Sequence, residues 1–290
     1  MAIVEILSGN PLFYYCCAGF LGLMFGSFFN VIIYRLPRMM KAGWTQQCKE
    51  LLELEVCRQP PEFSLVKPRS RCPHCETPVG AMDNIPILSY LILRGRCRHC
   101  DACISWRYPF VEALTAAMFV TIAWSYGFTY QALAGLILTG LLVPMIFIDI
   151  DEQILPDSIT LVGIWTGLLF NAFGVLTDLQ SAVFGAIAGY LSLWSVYWVF
   201  KLLTGKEGMG YGDFKLLAML GAWLGWQMLP LIILLSASVG AVCGIIILAL
   251  GDKARDTPIP FGPYLCMAGW VALLAGNEIV SAYLQFSGLS

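Results

Sequence analysis

Apolar positions along the chain fall in long runs, not in the two-residue alternation of a half-buried strand. The runs cover 12–33, 106–126, 130–149, 158–176, 181–203, 214–229, 231–250 and 260–283. Most approach the roughly 20 residues a helix needs to cross a bilayer. The sixth and seventh runs could be read as a single stretch. At about 1.5 Å rise per residue, its ~36 residues would extend about 54 Å, too far for a hydrocarbon core of about 30 Å. Gly225, Trp226, Gln227 and Pro230 supply a break, so the pattern predicts a tight helical hairpin. The expected fold is an all-α polytopic membrane protein with about eight transmembrane helices.

One long polar segment interrupts the pattern between the first two runs. The expected domains are therefore a first transmembrane helix at 1–33, a small polar domain at 34–105, and a seven-helix membrane core at 106–290. Composition agrees: 58% of the 290 residues are hydrophobic and 12% are charged, against about 25% charged in a soluble domain. The start of the chain carries no basic stretch, so the first apolar run reads as a permanent helix, not a cleaved signal.

Charge sets the expected orientation. Arg35, Arg38, Lys41, Lys49, Arg58, Lys67, Arg69, Arg71, Arg94, Arg96, Arg98 and Arg107 all lie between the first two runs; the others are Lys201, Lys206, Lys215, Lys253 and Arg255. With eight spans all of them share one side, and the opposite loops near 127–130, 177–180 and 230 have no Lys or Arg. Positive-inside bias makes the basic side cytoplasmic and both termini periplasmic. An odd number of spans would spoil the partition. The net charge of −2 hides this asymmetry, and no nucleic-acid partner is expected.

The polar segment has too thin an apolar supply to fold without a staple. Four cysteines provide one: Cys72-Pro-His-Cys75 and Cys97-Arg-His-Cys100, with 21 residues between the two CxxC knuckles. Two knuckles converging on one ion form the tetrahedral S₄ set of a structural zinc. Arg71, Arg96 and Arg98 flank the cysteines and are expected to help hold the thiolates ionised. A reducing cytoplasm argues against disulfides, and no βαβ context supports a redox pair. His74, His99 and Cys103 are alternative ligands, but four thiolates already close the shell. Cys16, Cys17, Cys243 and Cys266 lie in apolar runs and are expected in the core. Cys48 and Cys57 carry no assigned role.

Carboxylates inside membrane spans are costly and so are functional candidates. Asp149 ends the third run and Asp213 opens the sixth, 64 positions later. The helix directions bring both to one depth, near the cytoplasmic face. Two facing carboxylates can divide general-base and general-acid work in hydrolysing an amide. Gly210 and Gly212 before Asp213 allow a sharp entry and close approach of a substrate backbone. Pro144 is a candidate kink that aims Asp149 at its partner. Asp151, Glu152 and Asp157 read as interfacial residues, with a helix starting at Pro156-Asp157-Ser158. Glu112, inside the second run, is expected to pair with Arg107 or line a cavity.

Taken in order, these features resemble a known family. The series Cys72-x-x-Cys75, Cys97-x-x-Cys100, Asp149, Leu155-Pro156-Asp157 and Gly210-x-Gly212-Asp213-x-Lys215 is similar to that of the bacterial type IV prepilin peptidases, GxGD aspartic peptidases of the inner membrane. Gly26-Ser27-Phe28-Phe29-Asn30 through Pro37 resembles their N-terminal signature, and Pro260-Phe261-Gly262-Pro263-Tyr264 their last-helix entry. The segment 39–65 matches no motif. The resemblance implies a bifunctional enzyme that cleaves the basic leader of type IV prepilins and secretion pseudopilins. It then N-methylates the new terminus with S-adenosylmethionine. It also implies Asp149 and Asp213 as the catalytic pair and zinc on the four cysteines. Asp151 and Glu152 would serve as local counter-charges for a basic leader. Cofactor binding is expected in the polar segment or at its junction with the membrane, with Gly95 the candidate contact and a plain turn the alternative. The competing classes are an ion-coupled transporter and a GxGD intramembrane protease of the presenilin or preflagellin-peptidase kind. The latter group lacks the paired CxxC domain.

Overall fold

The computed structural model describes residues 9–54, 64–250 and 260–288. Cys57, Arg58, Lys253 and Arg255 lie outside the described residues. The described elements are helical, joined by turns and two isolated bridges. The chain divides into two compact units, Met1–Phe128 and Thr129–Ser290.

The first unit begins with α1 (Pro11–Leu51). Its start follows from the sequence: the Asn10 side chain accepts the Phe13 N–H at 3.1 Å, and Pro11 takes the first turn, where no N–H is needed. Its end does not follow from the apolar run. The helix continues unbroken from Tyr34 to Leu51, past the expected boundary at residue 33 and through Pro37. Residues 39–51 are rich in Met, Lys, Gln, Glu and Leu, all good helix formers. Loss of hydrophobicity there marks where an apolar span stops, not where the helix does.

A short helix α2 (Leu88–Ile92) follows the first cysteine knuckle, and α3 (Arg107–Tyr126) completes the unit. The α1–α3 contact is a small-residue seam. A Cβ on Gly22 would lie 2.5 Å from Ala116 Cα, and one on Gly26 would lie 2.7 Å from Glu112 Cα. Glycines four apart let two membrane helices meet backbone to backbone. Arg35 is buried and gathers the loop after α1, donating to the carbonyls of Ser64, Leu65 and Pro68 at 2.9, 3.4 and 2.7 Å. Glu112 is buried too, and its carboxylate accepts the Ile87 N–H at 2.7 Å. Of the four cysteines expected in a core, only Cys266 is buried; Cys16 is exposed, while Cys17 and Cys243 are half-buried. An apolar run on a membrane helix is satisfied by lipid as well as by core.

The second unit holds α4 (Tyr130–Glu152), α5 (Asp157–Ala172), α6 (Leu179–Thr204), α7 (Tyr211–Leu224), α8 (Leu229–Leu250) and α9 (Gly262–Phe286). The eight long helices match the eight predicted runs, and the predicted hairpin break is present. Leu224 ends α7, Gly225 adopts φ +84°, and a 3₁₀ turn at Trp226–Met228 leads into α8. Among the described residues, six helices are long and apolar enough to cross a membrane. The exceptions are α5 and α7, with 16 and 14 residues, or roughly 24 and 21 Å. For α7 the reason is its surroundings. Its residues from Phe214 to Trp223 are buried apart from Lys215, with α5, α6 and α9 packed around it. A helix enclosed by protein need not match the thickness of lipid. Buried Asn171 closes the end of α5, donating to the Ala222 and Trp223 carbonyls and accepting the Leu176 and Thr177 N–H groups.

Candidate active site and metal cluster

Within the second unit, Asp149 lies in the last turn of α4 and Asp213 in the first turn of α7. They are 5% and 7% exposed, among the few buried ionisable side chains of the described residues. Leu155 links the two, lying against Gly212 beside Asp213 and against Gly262, whose N–H bonds Asp149. Two residues 64 positions apart therefore share one buried polar site.

Local chemistry holds each of them. The start of α7 is fixed by Gly210 in extended conformation and by an aromatic cluster of Tyr197, Tyr211 and Phe214, with ring centroids 5.3–5.7 Å apart. Asp213 N–H donates to the Gly210 carbonyl at 3.2 Å. Asp149 Oδ2 accepts the Gly262 N–H at 3.1 Å, where α9 begins. That places one Asp149 oxygen at a helix N-terminus, a favourable setting for negative charge. Two glycines make room. A Cβ on Gly262 would meet Asp149 Oδ2 at 2.6 Å, and one on Gly212 would meet Leu155 Cβ at 2.8 Å. Buried Leu155 fills the space between the two glycines. Gly262→Ala is accordingly expected to push Asp149 aside and slow amide hydrolysis about a hundredfold, since displacements of about 1 Å cost that much. Steady-state rates beside thermal unfolding would check this.

The residues read as interfacial sort into different roles. Asp151 is exposed and Glu152 half-buried, in the last turn of α4. Asp157 opens α5, as the Pro-Asp-Ser start predicts, and both of its oxygens take Lys215 Nζ, at 2.7 and 2.8 Å. The apolar pattern gave no sign that Leu155 or Gly262 belongs with the aspartates. The Pro260–Tyr264 motif was visible, but its contact with Asp149 is a tertiary fact.

The first unit carries the metal-ligand set. Cys72, Cys75, Cys97 and Cys100 place their sulfurs within 4.8 Å of one another, with Cys72 and Cys100 at 3.7 Å. Four thiolates around zinc at about 2.3 Å would stand about 3.8 Å apart, so the cluster fits a tetrahedral ion. The two knuckles repeat one backbone design. Cys72 N–H donates to Thr77 and Cys97 N–H to Ala102, at 3.0 and 2.9 Å; Glu76 N–H and Asp101 N–H return to Cys72 and Cys97, at 2.9 and 3.0 Å. Both return residues take the left-handed conformation, φ +56° and +55°.

The charges favour a cation. Hydrogen bonds from the Thr77 side chain and backbone lower Cys75 to about 6, and the His99 and Cys100 amides lower Cys97. Cys100, though eased by the Ala102 amide, is pushed up to about 12 by burial and its neighbouring sulfurs. Ionising all four at once would call for a positive ion among them. Arg98 does not supply the charge as expected. Its guanidinium grips Asp83, with Nη2–Oδ1 at 2.6 Å and Nε–Oδ1 at 3.0 Å, and holds that carboxyl below its usual range. It thus fastens the second knuckle to the chain before α2.

Gly95 adopts φ +70°, donates to Tyr90, and accepts the Ile104 N–H. A Cβ there would meet the Tyr90 ring at 3.0 Å. The turn accounts for the glycine, and a cofactor reaching Gly95 would have to approach from the face opposite Tyr90.

Two family models match the chain. Residues 20–126 match the bacterial peptidase A24 N-terminal domain, and 136–245 match the type IV leader peptidase family. Proteins named prepilin leader peptidase/N-methyltransferase align over nearly their whole length. The one from Stutzerimonas stutzeri is 55% identical across all of both chains. That from Pseudomonas aeruginosa is 53% identical over 99% of each. The one from Legionella pneumophila is 46% identical over 98% of this chain and 99% of its own. No solved structure matches. With identity this high across the full length, the chain belongs to the prepilin leader peptidase/N-methyltransferase family.

Proposed function

We propose that this inner-membrane protein is a bifunctional enzyme of two-aspartate type. It cleaves the leader of type IV prepilins and type II secretion pseudopilins, then methylates the new N-terminal residue with S-adenosylmethionine. One observation carries the peptidase half: two buried carboxylates from helices distant in sequence share one site. In this reading, one of Asp149 and Asp213 takes a proton from water as it attacks the scissile carbonyl. The other holds a proton for the departing amine. Gly262 N–H occupies one oxygen of Asp149 and leaves the other for water.

Cys72, Cys75, Cys97 and Cys100 would hold zinc. The closed shell gives it a structural task, supplying folding energy to the polar segment. That segment, within 34–105, is read as cytoplasmic, with 1–33 as the first span, 106–290 as the peptidase core and both termini periplasmic. The charge partition supports this orientation. Methyl-donor binding is assigned to the same polar segment or its junction with the membrane, with Gly95 as candidate contact. That half of the activity rests on the family relationship.

Incubating the purified protein with a prepilin and S-adenosylmethionine, followed by mass spectrometry, tests both halves. The expected product is shortened at its N-terminus and carries one added methyl. An intact substrate would refute the peptidase half, and a shortened, unmethylated product the other.

A further inference from the structure

The Lys215–Asp157 contact joins the two segments that bear the aspartates. Lys215 follows Asp213 by two residues in the first turn of α7. Asp157 opens α5, eight residues beyond Asp149. Between Asp149 and Asp157 the chain turns at Gln153, φ +53°, and drives Leu155 into the space left by Gly212 and Gly262. The connection is therefore held twice. Leu155 is wedged between two glycines, one beside Asp213 and one bonded to Asp149, and the ion pair closes the far end.

We propose that Asp157 and Lys215 are positioning residues for the aspartate pair, their ion pair locking the connection after Asp149 onto the helix that carries Asp213. This rests on reading Asp149 and Asp213 as the peptidase pair. The two side chains are 29% and 56% exposed, so the pair contributes little to folding free energy. Its effect lies in geometry. Releasing Asp157 frees the loop that seats Leu155, and Leu155 bears on Gly262, whose N–H orients Asp149.

The test uses the full-length purified protein with a prepilin. Asp157→Asn and Lys215→Met are each expected to lower kcat for leader cleavage roughly ten- to hundredfold. KM should stay within about twofold, because substrate binding is untouched. The double variant should fall no further than either single one, since each residue acts through the other. Lys215→Arg, which keeps the cation, should retain more activity than Lys215→Met. Unfolding temperatures should stay close to wild type throughout. Single variants that cleave at the wild-type rate, while Asp149→Asn does not cleave, would overturn the proposal. So would losses that multiply in the double variant, or a raised KM in Lys215→Met without any effect of Asp157→Asn. A wild-type protein that leaves prepilin intact would remove the underlying peptidase reading, and this inference with it.

Discussion

Asp149→Asn and Asp213→Asn should each lower leader cleavage by at least about a thousandfold, the range that positioned acid–base groups supply. The amide keeps the shape of the carboxyl group but cannot take a proton from water or pass one to an amine. Folding should survive. Both side chains are buried, and a neutral amide is no costlier to bury than a carboxylate. The Gly262 N–H can still donate to an amide oxygen at position 149. Thermal unfolding at or above the wild-type temperature, beside lost cleavage, would separate chemistry from structure. A transporter using the aspartates as an ion site would instead show ion-coupled flux and tolerate Asp→Glu at one or both positions, with no leader cleavage by the wild type.

Removing the metal should have the second largest effect, confined to the other unit. The purified protein is expected to carry one zinc per chain, and Cys75→Ser or Cys97→Ser should reduce this to near zero. The polar segment has few apolar side chains of its own, and much of its order comes from two turns that exist to aim sulfurs. Binding energies of roughly 10–16 kcal/mol, typical of small zinc folds, far exceed what such a segment can supply otherwise. Limited proteolysis should therefore cut within 64–105 after chelation and spare 129–290. Equal resistance with and without metal would show that the cluster is not a staple.

Much of this organisation was legible in the sequence, for reasons that differ by feature. Apolar helices announce themselves by their long apolar runs, so all eight appeared near their observed places. The four cysteines were legible because metal geometry imposes a local spacing. Asp149 and Asp213 stood out because an acid at the end of an apolar run is rare. Three things were hidden. The end of α1 was missed because a helix can outlast its apolar face. The enclosure of α7 was missed because an apolar run does not say whether lipid or protein covers it. The contacts of Leu155, Gly262 and Lys215 were missed because they join segments up to 113 positions apart, with no periodicity linking them. Arg98 was assigned to the thiolates from proximity in sequence, whereas Asp83 reaches it in space at 2.6 Å.

The central claim is that Asp149 and Asp213 act on one bond as a unit, and the double variant tests it most directly. Cleavage of one prepilin by the wild type, each single asparagine variant and the double variant should be timed under identical conditions, with folding checked for each. If the carboxylates work together, the double variant will be as slow as either single one, because removing one already abolishes the shared chemistry. A folded single variant that keeps cleavage within about tenfold of wild type, or losses that multiply in the double variant, would contradict the account.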